Sequence, residues 1–164
     1  MNMYIIKTIK SFCLLSTLLA VMAVSTTATA MDFVLVTPDE YQEAVDKGEN
    51  PYNDLVAKSV ANGPQINVVS PTVSQGKLVS PVDIKVEFKA ADAANIDMSS
   101  LKIFYLMFIK KDVTSRILES ADMGKNSISA KGAKLPSGTH KFLVEISDSE
   151  NRKASQKFVV EVGS

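Results

Sequence analysis

Residues 101–109, Leu-Lys-Ile-Phe-Tyr-Leu-Met-Phe-Ile, constrain this chain more than any other stretch. They are too few and too aromatic for a membrane helix, which needs about 20 predominantly apolar residues. Their side chains suit a pleated, packed surface. Successive side chains on a strand point to opposite faces, so the run divides into two sets. Leu101, Ile103, Tyr105, Met107 and Ile109 are apolar throughout and are assigned inward. Lys102, Phe104, Leu106, Phe108 and Lys110 begin and end with lysine and are assigned outward. Phe104, Leu106 and Phe108 then form an outward apolar stripe, and large aromatics of about 150–250 Å² each are costly to leave in water. These three are the candidate interface residues. Three arrangements answer the stripe: cover by the chain's own arm through Phe33, Val34, Leu35, Tyr41 and Val45, cover by another protein or a second copy, or a reversed facing of the strand.

Around this strand the apolar period is two. Val82, Ile84, Val86 and Phe88 alternate with Asp83, Lys85, Glu87 and Lys89, the pattern of a half-buried strand. Ile66, Val68 and Val69 make an earlier strand that stops at Ser70-Pro71. After the Ala- and Asp-rich loop, the opening strand begins near Ser99-Ser100. Residues 112–118 read as a strand or a helical turn crossing between sheets, and residues 127–130 as a short strand. Phe142, Val144 and Ile146, then Phe158, Val160 and Val162, supply two further inward sets, joined by a polar hairpin loop at 148–152. Short strands separated by Pro, Gly and Ser turns predict an all-β, antiparallel sandwich of about seven strands over residues 64–164.

Residues 31–63 form a different unit, an N-terminal arm with a short helix. Thr37-Pro38-Asp39-Glu40 opens that helix with a threonine cap, a proline at the first position and a glutamate closing a capping box. Lys47-Gly48 ends it. Residues 51–61 suggest a second helical piece before Asn62-Gly63-Pro64 breaks it.

Residues 1–30 read as a secretory signal peptide: Lys7 and Lys10, an apolar segment over 12–24, and Ala28-Thr29-Ala30 before Met31. The expected location is the periplasm or the exterior after cleavage near Ala30. The single cysteine, Cys13, lies inside the leader, so the mature chain has no disulfide and no thiolate chemistry. The leader holds two of the 18 basic residues and none of the 18 acidic ones, leaving a net charge of −2. That balance, without a basic patch, argues against nucleic acid, and no span-length apolar run follows the leader.

Pro64-x-Ile66-x-Val68, Ser80-Pro81-Val82 feeding an alternating strand, Leu135-Pro136-x-Gly138-x-His140 feeding another, and Asp148 in the last hairpin together resemble bacterial immunoglobulin-like modules of exported proteins, of the cadherin and fibronectin kind. The resemblance covers most of the mature chain and implies an immunoglobulin-like fold. It says little of function, since that architecture hosts adhesion, scaffolding and ligand binding alike. The disulfide and core tryptophan of antibody domains are absent.

His140 is the sole histidine. Its place after a Leu-Pro-x-Gly turn resembles the corner where such domains set a tyrosine that bonds back to the backbone. Without a histidine or cysteine partner it makes a poor metal ligand, and no Gly-x-Ser-x-Gly elbow accompanies it. Asp97, Asp112 and Asp148, with Asp92 and Glu150, fall in or beside predicted loops and are candidates for calcium, without EF-hand spacing. Met31, Met98, Met107 and Met123 show no copper-binding cluster. The expectation is a non-enzymatic exported module without a cofactor, acting by protein–protein or ligand contact with an envelope or extracellular partner or with itself. The alternative is a calcium-binding or hydrolytic accessory module that uses the loop carboxylates.

Overall fold

The computed structural model describes residues 32–48, 51–52, 58–59, 62–72 and 76–164. The leader assigned to residues 1–30 lies outside them. Strand β4 (Val82–Lys89) follows its alternation closely, with Val82, Ile84, Val86 and Phe88 each 5% exposed or less. It pairs antiparallel with β3 (Gln65–Ser70) on one side and β8 (Ser127–Lys134) on the other. The far side of β8 carries β7 (Ala121–Gly124), joined by a tight turn, and then β1 (Phe33–Val34), which runs parallel to its end. These five segments form the first sheet.

The second sheet has the order β2 (Lys58–Ser59), β10 (Lys153–Val162), β9 (Gly138–Asp148), β5 (Ile96–Leu106) and β6 (Lys110–Asp112). Helix α2 (Thr114–Leu118) carries the chain from β6 in the second sheet to β7 in the first. It is the crossing expected for residues 112–118. Ten strand segments are thus described where about seven were expected; the arm supplies two of them, each two residues long.

The inner faces meet in one apolar cluster. Val86 and Ile128 enter from the first sheet, and Leu101, Ile103, Tyr105, Phe142, Val144 and Phe158 from the second. Phe142 and Phe158 lie directly across β9–β10 with their rings stacked 5.2 Å apart. Burying one such ring contributes on the order of 1.5–3 kcal/mol. The molecule is therefore a mostly antiparallel β-sandwich.

The arm joins this core. Leu35 (0% exposed) and Val36 (2%) are buried in the shared cluster, just before helix α1 (Pro38–Asp46). The capping box forms as its residues require: the Glu40 N–H donates to Thr37 Oγ1 at 3.1 Å and the Thr37 N–H to Glu40 Oε2 at 3.0 Å. Gly48 takes a positive φ of 79° after the Lys47 cap. The second helical piece expected over 51–61 falls largely outside the described residues. Lys58–Ser59 within it are strand, paired with Ala154–Ser155. β5 also begins at Ile96, earlier than the Ser99-Ser100 start expected, and its register slips between Asp97 and Lys102.

A candidate contact surface at the end of the second sheet

Alternation on β5 holds from Leu101 to Tyr105, beside β9. Leu101, Ile103 and Tyr105 are 3% exposed or less and face inward, and Lys102 is exposed on the outer face. Phe104 also faces out, opposite Leu143 of β9, and is half-buried. The Lys110 ammonium stands 3.8 Å from the centre of its ring and bonds Glu145 Oε1 at 2.6 Å. Phe104 is thus roofed by a neighbouring lysine in a cation–π contact.

Beyond that point the stripe is treated unevenly. Leu106 is 3% exposed and lines a cleft beneath α1 with Tyr41, Ala44 and Val45, so at this residue the cover is the chain's own arm, one of the three arrangements expected. Ile109, expected to face in, is 57% exposed. Ile109 is exposed because β5 ends at Leu106 and residues 107–109 bend, with the Met107 N–H donating to the Ile109 carbonyl at 3.2 Å. Strand parity is lost in such a bend, so each side chain points where the turn sends it. Phe108 is 49% exposed at this tip, beside Ile109. Lys47, at the end of α1, reaches over the Phe108 ring at 5.3 Å, and Val45 on the same helix is 53% exposed. Of the three expected interface residues, one is roofed, one is buried and one is open.

α1 is tied to this end by a clip that sequence reading missed. The Glu40 carboxylate accepts Arg116 Nη1 at 2.9 Å and Nη2 at 2.8 Å, and it also accepts Lys111 Nζ. Arg116 donates besides to the Leu35 carbonyl at 3.1 Å. The Arg116 fork, opposed by partial burial and helped by Lys111 and the Thr37 N–H, holds the Glu40 carboxyl far below the usual carboxylate range. Glu40 already had a complete role as a capping residue, so nothing local pointed to partners 71 and 76 residues away.

His140 sits behind the same corner, fully buried. Its Nε2 lies 2.8 Å from the Pro136 carbonyl, which only accepts, so Nε2 carries the proton. Nδ1 is then the acceptor for the Tyr105 hydroxyl at 3.0 Å. Burial lowers the imidazole pKa against the opposing carbonyl bond, and burial raises that of the Tyr105 phenol. The Tyr41 ring of α1 lies 4.9 Å from the imidazole. Both ring nitrogens are committed to holding a corner of the fold, which leaves neither for a substrate.

The three candidate acids do not converge. Asp97 lies in β5 and accepts the Ser99 N–H and hydroxyl at 3.0 and 2.6 Å. Asp112 ends β6 opposite Phe104, seven positions along β5 from Asp97, roughly 20 Å at strand rise. It accepts the Thr114 N–H at 2.9 Å and Lys102 at 3.2 Å. Asp148 is buried at the end of β9, where it accepts the Glu150 and Arg152 N–H groups at 3.0 Å each and Arg152 Nε at 2.7 Å. Burial pushes its carboxyl up, but these donors outweigh it and leave the pKa lowered. All three are strand-end acids occupied in shaping turns. Among the described residues no three His, Cys, Asp or Glu side chains are placed to hold a metal ion, and no helix is long and apolar enough to cross a membrane.

No protein-family model matches this chain, and no curated protein matches it.

Proposed function

We propose that this is an exported, non-enzymatic binding module with an immunoglobulin-like fold, which acts by protein contact at the β5–β6 end of the sandwich. Strand order supports the fold. The neighbours β3-β4-β8-β7 and β10-β9-β5-β6 correspond to the A-B-E-D and G-F-C arrangement of immunoglobulin domains, with β6 as an added edge strand. The back-bond from His140 to Pro136 fits the corner role of the tyrosine in such domains.

The observation that carries the contact reading is the pairing of Phe108 (49% exposed) and Ile109 (57%) on one tight tip. The Phe108 ring alone leaves about 100 Å² in water, half of a typical aromatic side chain. The tip is braced by the α1 clip on one side and by Lys110–Glu145 on the other, so it presents a preformed apolar point with a polar surround. Contacts of this kind concentrate binding energy in a few central side chains.

The test compares the mature chain with a Phe108→Lys, Ile109→Ser variant as immobilised baits for envelope and extracellular proteins. Partners held by the first and lost by the second are the expected result. Equal retention by both would remove the tip as the site, and recovery of the chain from the cytoplasmic fraction would remove the exported setting.

A further inference from the structure

An edge strand presents a row of unpaired N–H and C=O groups, which folds blunt with charge, with a covering segment or by keeping the edge short. Most edges of this sandwich follow that rule. In the second sheet β6 carries Lys110 and Lys111, and β10 is covered by Lys58–Ser59 near its start and by Leu78 at its end. In the first sheet β7 and β1 are only four and two residues long. The remaining edge is β3, Gln65-Ile66-Asn67-Val68-Val69-Ser70, six residues without a charge. Its backbone directions follow from the ladder. The Phe88 N–H donates to the Asn126 carbonyl at 2.8 Å, so Phe88 and Val86 turn their backbone groups to β8. Antiparallel ladders alternate, which leaves Glu87 and Lys89 to bond β3 through their partners Asn67 and Gln65. Ile66 and Val68, opposite Phe88 and Val86, therefore aim their N–H and C=O groups away from the sheet. Among the described residues no hydrogen bond outside the ladder takes them. A bulge at Val69 ends this regular stretch.

We propose that β3 pairs antiparallel with β3 of a second copy of this chain, about a two-fold axis at Asn67, joining the first sheets of two sandwiches into one. The self-complementarity of the edge points to a copy. With Asn67 opposite its own counterpart, Ile66 faces Val68 of the second copy and the two exchange both backbone bonds. Symmetry repeats the exchange, so every outward group of Ile66 and Val68 is satisfied in both copies. The neighbouring registers lose this. One sets Val68 against Pro64, which has no N–H, and the other sets Ile66 against Ser70 beyond the bulge. The edge is uncharged, so self-pairing brings no like charges opposite one another on it. Ile66 and Val68 already pack against the apolar cluster, and in this register they meet their counterparts on that same side. β3 stands against β10, at the sandwich edge opposite β6, so the pair leaves both Phe108 tips open. The surface is separate from that tip, and either reading can fail alone.

The full mature chain tests this without a foreign partner. In sedimentation equilibrium its mass is expected to rise from one copy toward two with concentration. Val68→Pro removes an outward N–H and leaves the inner ladder whole, and it should weaken the association about tenfold or more. The chain's single cysteine lies in the leader, so Asn67→Cys gives the mature chain one thiol per copy. Facing non-bonded residues of an antiparallel pair lie about 4.5 Å apart at Cα, within disulfide reach, so mild oxidation should yield a covalent dimer. Gln65→Cys should not, since its two copies stand roughly 14 Å apart in this register. A wild-type chain that stays monomeric at millimolar concentration would overturn the second copy as occupant. A dimer indifferent to Val68→Pro, or equal cross-linking from both cysteines, would overturn the edge and its register. Wild type and the two cysteine variants, at exposed positions, carry the test even where Val68→Pro fails to fold.

Discussion

Acid sensitivity of this fold between pH 7.5 and 5.5 is expected to come from His140. The imidazole is fully buried, donates from Nε2 to the Pro136 carbonyl and accepts at Nδ1 from Tyr105. A proton on Nδ1 would turn that acceptor into a second donor facing the hydroxyl and would place a charge in the core. The groups around it are Tyr41 from α1, Tyr105 from β5 and the more distant Glu40 carboxylate, and burial lowers the pKa in the folded state. The unfolded chain titrates near 6.5. The folded state therefore binds fewer protons, and its stability is fully present above the unfolded pKa and declines as the pH falls below it. If the folded histidine takes no proton, the loss between pH 7.5 and 5.5 is about 1.4 kcal/mol, the free energy of protonating the unfolded imidazole at the lower pH. The low-pKa carboxylates Glu40, Asp112 and Asp148 lose their contributions only as the pH approaches and passes below the ordinary carboxylate range, so this window isolates the histidine. Guanidinium unfolding at pH 7.5, 6.5 and 5.5 reads the slope directly. With one histidine in the chain, a His140→Phe variant that folds should be less stable and nearly flat over the window. A flat wild-type profile, or the same slope in the variant, would refute the assignment of a neutral, doubly engaged imidazole.

Leu106→Ala should cost about 2–4 kcal/mol by urea unfolding, whereas Phe108→Ala should stay within about 0.5, since the first empties a buried site and the second trims an exposed one. Equal costs would restore the continuous outward stripe. Gly138→Ala should destabilise by roughly 2–4 kcal/mol, because φ is 136° and the new methyl meets Tyr41. In a double-mutant cycle Tyr41→Ala should recover about 1 kcal/mol or more of that loss; strict additivity would mean that backbone strain alone sets the cost.

What the chain declared by itself was local. The alternation of Val82, Ile84, Val86 and Phe88, the inward set Leu101, Ile103 and Tyr105, and the capping box from Thr37 to Glu40 depend on neighbours a few residues away, and each forms as read. Periodicity and capping are properties of short stretches of backbone, so a short stretch suffices to reveal them. The site was decided elsewhere. Leu106 is buried because α1 lies across its end of the strand, and Ile109 is exposed because a bend ends the strand parity. Glu40 meets Arg116 across 76 residues, and His140 meets Tyr105 across 35. Asp97, Asp112 and Asp148 share a residue type but sit on separate turns, each satisfied by its own donors. No periodicity encodes such meetings, because they arise only when two sheets close and bring sequence-distant side chains within bonding distance. The sequence alone therefore determined a sandwich with an arm. Only the tertiary structure decided which apolar residues of residues 101–109 remain in water.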